Sequence, residues 1–294
     1  MIVTVASGKG GTGKTTIAVG LAVAVASACG AGPGAGNEPV QLLDCDVEEP
    51  NAHLFLKPSI HSRREVGVLT PAVDPEKCTG CRRCAEVCAY HAIAILGKEM
   101  LVFDELCHGC GSCAFICPEK AIREELRVTG FVEQGTSDGI SFARGILNVG
   151  EAMAVPVIRE LKRREAGNGP NALVIRDAPP GTSCPVVECL RGADYALMVT
   201  EPTPFGLHDL RMAVEVARDE LGLPVGVVIN RDGVGDHGVE EYCQRERIPI
   251  LARIPLDRRI AEACSEGIPL PVALSEYQER FLALYHRIQE EVRW

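Results

Sequence analysis

The start of the chain restricts the fold more than any other stretch. Residues 2–6, IVTVA, are apolar and β-branched enough for a short buried strand, residues 8–15 read GKGGTGKT, and an apolar helical run begins at Ile17. The string matches G-x-x-x-x-G-K-[ST] in its proper setting of strand, loop and helix. Glycines let the backbone N–H groups of such a loop converge on phosphate oxygens at the helix N-terminus. Gly8, Lys9, Gly10, Gly11, Thr12, Gly13, Lys14, Thr15 and Thr16 are therefore the candidate nucleotide cradle. Within it Lys14 reaches the β- and γ-phosphates and Thr15 ligates Mg²⁺. A flexible linker would need neither side chain at these offsets.

The 14 cysteines of the chain supply the second constraint, because eight of them form a repeat. Cys78, Cys81, Cys84 and Cys88 are spaced C-x2-C-x2-C-x3-C, and Cys107, Cys110, Cys113 and Cys117 reproduce that spacing 29 residues later. Ala92-Ile93 returns as Ala121-Ile122 at the same offset, so the segment is an internal duplication. Three closely spaced thiolates wrap three corners of an iron cube and leave the fourth to a cysteine of the other half. The expected ligand sets are Cys78, Cys81, Cys84 and Cys117 for one 4Fe-4S cluster, and Cys107, Cys110, Cys113 and Cys88 for the other. Zinc sites favour two C-x2-C pairs with a spacer instead. Pro118 follows Cys117, as in bacterial ferredoxins, whereas Ala89 follows Cys88.

Further apolar strands are expected at Val40 to Leu43, Ala172 to Ile175, Tyr195 to Thr200, Val225 to Asn230 and Ile250 to Ile254, with a Gly/Pro-rich turn at Gly30 to Gly36. Fully apolar strands alternating with helices imply an α/β fold, a doubly wound and mostly parallel sheet. The expected division is a discontinuous nucleotide domain, 1–73 and 123–294, with a ferredoxin-like α+β domain inserted at 74–122. The net charge of −10 argues against nucleic acid or anionic lipid as the main partner, since either needs clustered cations. The run Ile17 to Ala28 is too short for a membrane span, so a reducing cytoplasm is the expected compartment. Tyr277, Phe281, Leu284, Ile288 and Val292 share one helical face, read as a packing helix and not a membrane anchor because acids outnumber arginines beside it.

With Lys9 included, GKGGTGKTT resembles the deviant P-loop ATPases, the family of the division regulator MinD, the chromosome-partition ATPases and the nitrogenase iron protein. The resemblance covers nearly the whole chain outside the cysteine segment. It implies that Lys9 reaches across a nucleotide-sandwiched dimer, formed with a second copy or a paralogue, to the partner's phosphates. It implies that Asp44 sits in the Mg²⁺ outer shell, that Asp46 positions the attacking water as the first switch, and that Asp177 is the Walker B acid with Gly181 in the second switch. Asn230, Pro255 and Asp257 fall where relatives contact adenine. Arg176 is unusual so close to the Walker B acid, where the strand is normally apolar.

The cysteine segment lies between the two switches, which resembles MinD-like ATPases carrying a two-cluster ferredoxin insert. Three functions follow as expectations: an ATP-gated electron carrier with a redox partner, an ATP-dependent carrier or assembly factor for metal clusters, and a positioning ATPase with redox-sensing clusters. Cluster carriers of this family use a C-terminal C-x2-C, whereas Cys184 and Cys189 have four residues between them. Of the six other cysteines, most are expected to be buried, and Cys184 is the candidate ligand for a cluster shared between subunits.

Overall fold

The structure, a computed structural model, describes residues 1–30, 40–165 and 172–292; apart from Gly30, the turn expected at Gly30 to Gly36 lies outside them. Strand β1 (Ile2–Ala6) runs through the glycine loop into α1 (Lys14–Ala28), and β2 (Val40–Asp44) is followed by the short α2 (Ala52–Leu56). Strand β3 (Ser59–Val73) then leaves the body of the molecule. After α3 (Arg83–Val87), a hairpin of β4 (Ile93–Leu96) and β5 (Glu99–Val102), and α4 (Ser112–Ile116), strand β6 (Ile122–Ser137) returns to it. The rest alternates: β7 (Ile140–Leu147), α5 (Val155–Lys162), β8 (Leu173–Asp177), α6 (Cys184–Leu190), β9 (Tyr195–Thr200), α7 (Pro204–Val214), β10 (Val225–Asp232), α8 (Gly238–Glu246), β11 (Ile250–Pro255), α9 (Arg258–Ser265), α10 (Leu270–Ala273) and α11 (Glu276–Val292).

Among the described residues the main sheet has the order β11-β10-β9-β1-β8-β2-β7-β6-β3. Every pairing from β11 to β7 is parallel, and β6 runs antiparallel to both β7 and β3. The expected α/β class is borne out. One apolar core packs α1 and α11 on one face, with Phe281, Leu284 and Ile288 against Ile17, Leu21 and Val25. A second packs α5 to α8 on the other. Strands covered on both faces read as near-continuous apolar runs: β9 is apolar from Tyr195 to Val199, while β1 and β2 are each interrupted once inside the strand, by the buried Thr4 and Gln41. Gly20 allows the close approach of α11, because a Cβ there would lie 2.3 Å from the Phe281 ring. Helix α11 is thus a packing helix, and among the described residues no helix is long and apolar enough to cross a membrane.

The sequence reading missed β3, β6 and β7. Strand β6 pairs with β7 only from Gly130 to Ser137, yet with β3 along its whole length, from Val73↔Ile122 to Ser59↔Thr136. Residues 122–129 and the facing end of β3 therefore form a two-stranded arm beyond the sheet, about 25 Å long at ~3.3 Å per residue. The loop after β7 braces its base: Asn148 Nδ2 donates to the Val128 carbonyl and Arg127 pairs with Glu151. The arm's base lies beside the first switch: Leu147, which faces Gly130 where the arm begins, donates its amide to the carbonyl of Val47, the residue after Asp46, at 2.8 Å.

Residues 74–121 sit at the arm's end, and their backbone repeats as the sequence does. Gly80 and Gly109 have φ of +69° and +64°, Arg82 and Gly111 +67° and +73°, His91 and Lys120 +51° and +48°. Helices α3 and α4 occupy equivalent places 29 residues apart. The segment's own apolar core is small, with Cys84, Ile93, Met100 and Cys113 its buried members.

Candidate functional site

The glycine loop sits at the C-terminal end of β1, in the middle of the parallel strands, where open α/β sheets bind ligands. Gly13 caps α1 at φ +92° and Gly11 has φ +76°, conformations that penalise any residue with a Cβ. Gly8 serves packing, since a Cβ there would lie 2.2 Å from the Asp209 carbonyl oxygen on α7. Gly10, Gly11, Gly13, Lys14, Thr15 and Thr16 line a cleft of about 1530 Å³. Asp46, Asn230, Pro255 and Asp257 line the same cleft, with Asn51, Phe55 and Cys264, which no motif had placed there. Asn230 also holds the loop, its Nδ2 donating to the Thr12 carbonyl at 2.7 Å.

Asp46 and Asp177 lie beside Lys14, and Asp44 lies beside both of them. Asp44 and Asp177 end adjacent parallel strands and are register partners; both are fully buried. Burial pushes the Asp177 carboxyl up to about 7. It also raises Asp44, with the Asp177 charge adding to the effect, and raises Asp46 against the pull of Lys14. The Lys14 ammonium is lowered by its own burial, with Asp177 and Asp46 opposing. One Asp44 oxygen accepts the Ala52 amide at 2.9 Å. The other, both Asp177 oxygens, the Asn51 side-chain oxygen and the Thr12 hydroxyl are buried without a partner. The carboxylate oxygens clustered at the phosphate loop suit a hard divalent cation with its water shell, which would also relieve their mutual repulsion.

Gly181 lies outside the cleft lining; its amide donates to the Ser7 carbonyl at 3.0 Å, tying the second switch to the end of β1. Lys9 also points away from the cleft, and its Nζ donates to Glu201 at 3.1 Å. Glu201, which the sequence reading passed over, is buried and holds Arg231 as well. Arg176 is buried under β8, bidentate to Glu165 and donating to the carbonyls of Cys189 and Arg191. It pins the end of α6 and points away from the chemistry.

The cysteine segment contains two further cavities. One, of about 360 Å³, is lined by Cys78, Cys81, Cys84 and Cys117, and lies at the arm's tip beside Ile122. The other, of about 380 Å³, is lined by Cys88, Cys107, Cys110 and Cys113, and lies lower on the arm against Leu69 and Pro71. Each cavity draws its fourth cysteine from the other half of the duplication. Amides repeat too: Ala92 N–H reaches Cys88 Sγ and Ala121 N–H reaches Cys117 Sγ, both at 3.3 Å. Among the described residues no three His, Cys, Asp or Glu side chains converge on a point suited to a single metal ion; the cysteines surround spaces instead. Tyr90 and His108 stack at 3.7 Å between centroids over the lower cavity. Of the other cysteines, Cys45, Cys189 and Cys243 are buried, Cys264 is half-buried in the nucleotide cleft, and Cys29 and Cys184 are exposed.

A parallel sheet with a strand, glycine loop and helix at its centre, and buried acids ending the neighbouring strands, defines a P-loop nucleotide-binding protein. The chain belongs to the CobQ/CobB/MinD/ParA nucleotide binding domain family, whose model it matches over residues 3–270. It is 30% identical to the uncharacterized protein MJ0579 of Methanocaldococcus jannaschii over 91% of this chain and 90% of that one. An iron-sulfur cluster carrier protein of the same organism is 28% identical over 132 residues, 40% of this chain and 45% of that one. Among solved structures, the septum site-determining protein MinD of Pyrococcus horikoshii, complexed with Mg-ADP, has a TM-score of 0.58 at 19% identity, covering 98% of this chain and 95% of that one.

Proposed function

We propose that this ATPase couples a nucleotide switch to electron transfer through two 4Fe-4S clusters, residues 74–122 forming the cluster domain and residues 1–73 with 123–294 the nucleotide domain. The carrying observation is the swapped cysteine arrangement, Cys117 with Cys78, Cys81 and Cys84, and Cys88 with Cys107, Cys110 and Cys113. Four thiolates around a space suit a cubane better than a single zinc ion, whose ligands converge tetrahedrally. The small core supports the same reading, because a segment of this size rarely holds together without metals or disulfides, and all its cysteines are free. When bound, the clusters supply one-electron redox chemistry. The protein's part is to hold them by these eight thiolates, to donate the Ala92 and Ala121 amides to sulfur, and to place them on an arm rooted beside the first switch.

At the nucleotide site, Lys14 and the loop amides hold the β- and γ-phosphates, and Thr15 with Asp44 and Asp177 holds Mg²⁺ and its waters. The cation supplies charge neutralisation on the phosphates. Asp46, facing the cleft, orients the attacking water. Lys9 acts in a nucleotide-dependent dimer, consistent with its lying outside its own chain's cleft. Exposed Cys81 and Cys110 fit a reducing, cytoplasmic setting. A second reading, delivery of clusters to other proteins, is favoured by the partial likeness to the iron-sulfur cluster carrier.

Anaerobically purified protein is expected to contain about eight iron and eight acid-labile sulfide per chain, the content of two cubanes. Cys117→Ser should lose the same half of the signal as Cys78→Ser, and Cys88→Ser the same half as Cys107→Ser. Tightly bound zinc without sulfide, or Cys117 behaving with the second group, would remove the cluster assignment.

A further inference from the structure

The two halves of the duplication share a backbone and differ in charge. Positions 82 and 83, at the start of α3, are Arg82 and Arg83, whereas the equivalent positions at the start of α4 are Gly111 and Ser112. Arg82 adopts φ +67° where its counterpart Gly111 has +73°. That conformation disfavours any residue with a Cβ, so the first half tolerates strain to keep an arginine where glycine would be relaxed. Both arginines are exposed and line the tip cavity. Lys98, in the β4–β5 turn, packs against Gly80 on the same cavity's loop, its Cα 3.1 Å from where a Gly80 Cβ would be. Among the described residues none of these three cations is in an ion pair. Cys81, between them, is exposed. Glu119 is the acid on the tip cavity's lining, while the lower cavity carries Glu124 and no arginine or lysine.

In a chain of net charge −10, the three cations offset Glu119 and the negative charge that a thiolate-held cluster would carry, so the tip repels an acidic partner less than the lower site, whose lining carries Glu124 and no cation. Cations placed this way steer an acidic partner and fix its orientation. Electron-transfer encounters bury little surface and rely on steering more than on apolar contact, so a small charged rim is enough. We propose that the rim formed by Cys81, Arg82, Arg83 and Lys98 is the docking surface for an acidic one-electron carrier protein, so that electrons cross at the arm's tip and not at the lower site. The exchange is one electron from reduced carrier to oxidised tip site, or the reverse, with no bond made and no proton moved. The inference rests on the cluster reading above and adds the partner and the place of contact.

The test uses full-length, iron-loaded protein and an oxidised flavodoxin, an acidic carrier that is redox-idle in that state. Binding is measured by calorimetry at low and high salt, and electron arrival by stopped flow with photoreduced flavodoxin. The triple variant Arg82→Gln, Arg83→Gln, Lys98→Gln should bind at least tenfold more weakly at low salt, lose most of the salt dependence, and accept electrons more slowly in proportion. Arg82→Gly, which copies the relaxed duplicate, removes one charge without risk to folding and should fall between. Arg123→Gln, on the arm and ion-paired with Glu125, should match wild type. Unchanged flavodoxin binding in the triple variant with iron content intact, or tighter binding of a basic c-type cytochrome than of flavodoxin, would overturn the docking proposal alone. Absence of iron and sulfide from wild type would instead overturn the cluster reading and the electron route with it.

Discussion

Asp177 should destabilise the metal-free protein, and the size of that effect can be worked from its surroundings. Its carboxyl is 1% exposed, and burial lifts it from 3.8 to about 7 against the opposing pull of the Thr15 hydroxyl and Lys14. Between those values the folded state holds a proton that the unfolded state has released, so stability falls as pH rises from about 4 to 7 and is level above. At about 1.36 kcal/mol per unit the whole penalty is ~4 kcal/mol. The part falling between pH 5.5 and 7 is ~2 kcal/mol. Asp177→Asn has no such proton to lose. In EDTA its stability advantage over wild type should therefore grow by ~2 kcal/mol from pH 5.5 to pH 8, or roughly 3 °C in melting temperature for a chain of this size. Millimolar Mg·ATP should reverse the ranking, because the cation favours ionised carboxylates and the Asn variant forfeits its binding energy. The assay is thermal or urea unfolding of both proteins across that pH range. A difference independent of pH, or a wild type more stable than Asp177→Asn at pH 8 in EDTA, would refute the reasoning.

Lys14→Ala should abolish Mg·ATP binding while the visible cluster absorbance stays unchanged, which isothermal titration and a spectrum would check together. Lys9→Ala should leave nucleotide binding by the monomer intact and reduce ATP-dependent dimerisation and hydrolysis, read by light scattering and phosphate release; Glu201→Gln, which frees Lys9 from its partner in the same chain, should shift dimerisation the other way. Gly20→Val forces a side chain into the Phe281 ring and should cost about 1–3 kcal/mol in chemical denaturation, with partial recovery when Phe281→Leu is added. Removing iron should strip amide-exchange protection from residues 74–121, whose core is small, while β1, β8 and β9 keep theirs.

The elements legible from sequence are those whose environment is uniform. β1, β2, β8, β9 and most of β10 are covered on both faces, so largely apolar runs mark them within a residue or two. Strands β3 and β6 escaped for the opposite reason. Ser59 to Glu65 is mostly exposed and carries Arg63, Arg64 and Glu65, and Arg123 to Glu125 is exposed too; neither stretch has an apolar face to betray its period. Their partnership spans the whole cysteine segment, so no local signal announces it. At the nucleotide site, the loop and the acids announced themselves through motif spacing. Glu201 and Arg231 did not, because an ion pair holding Lys9 depends on where β9 and β10 end. Arg176 looked anomalous because its partner Glu165 lies on another element, at the end of α5. The cysteine sets were legible because duplication and spacing both act locally.

The central claim is that nucleotide state and cluster state communicate through the arm rooted at the first switch. A ligand that prefers one switch conformation must alter the clusters' environment, and by linkage reduction must alter nucleotide affinity by the same factor. The direct measurement is a potentiometric titration of the clusters, followed by electron paramagnetic resonance, with no nucleotide, with ADP and with a non-hydrolysable ATP analogue. Nucleotide affinities of oxidised and reduced protein complete it. The account predicts a displacement of at least one midpoint by the analogue, about 59 mV for each tenfold difference in affinity at a one-electron couple. Superimposable titrations with equal affinities would contradict it.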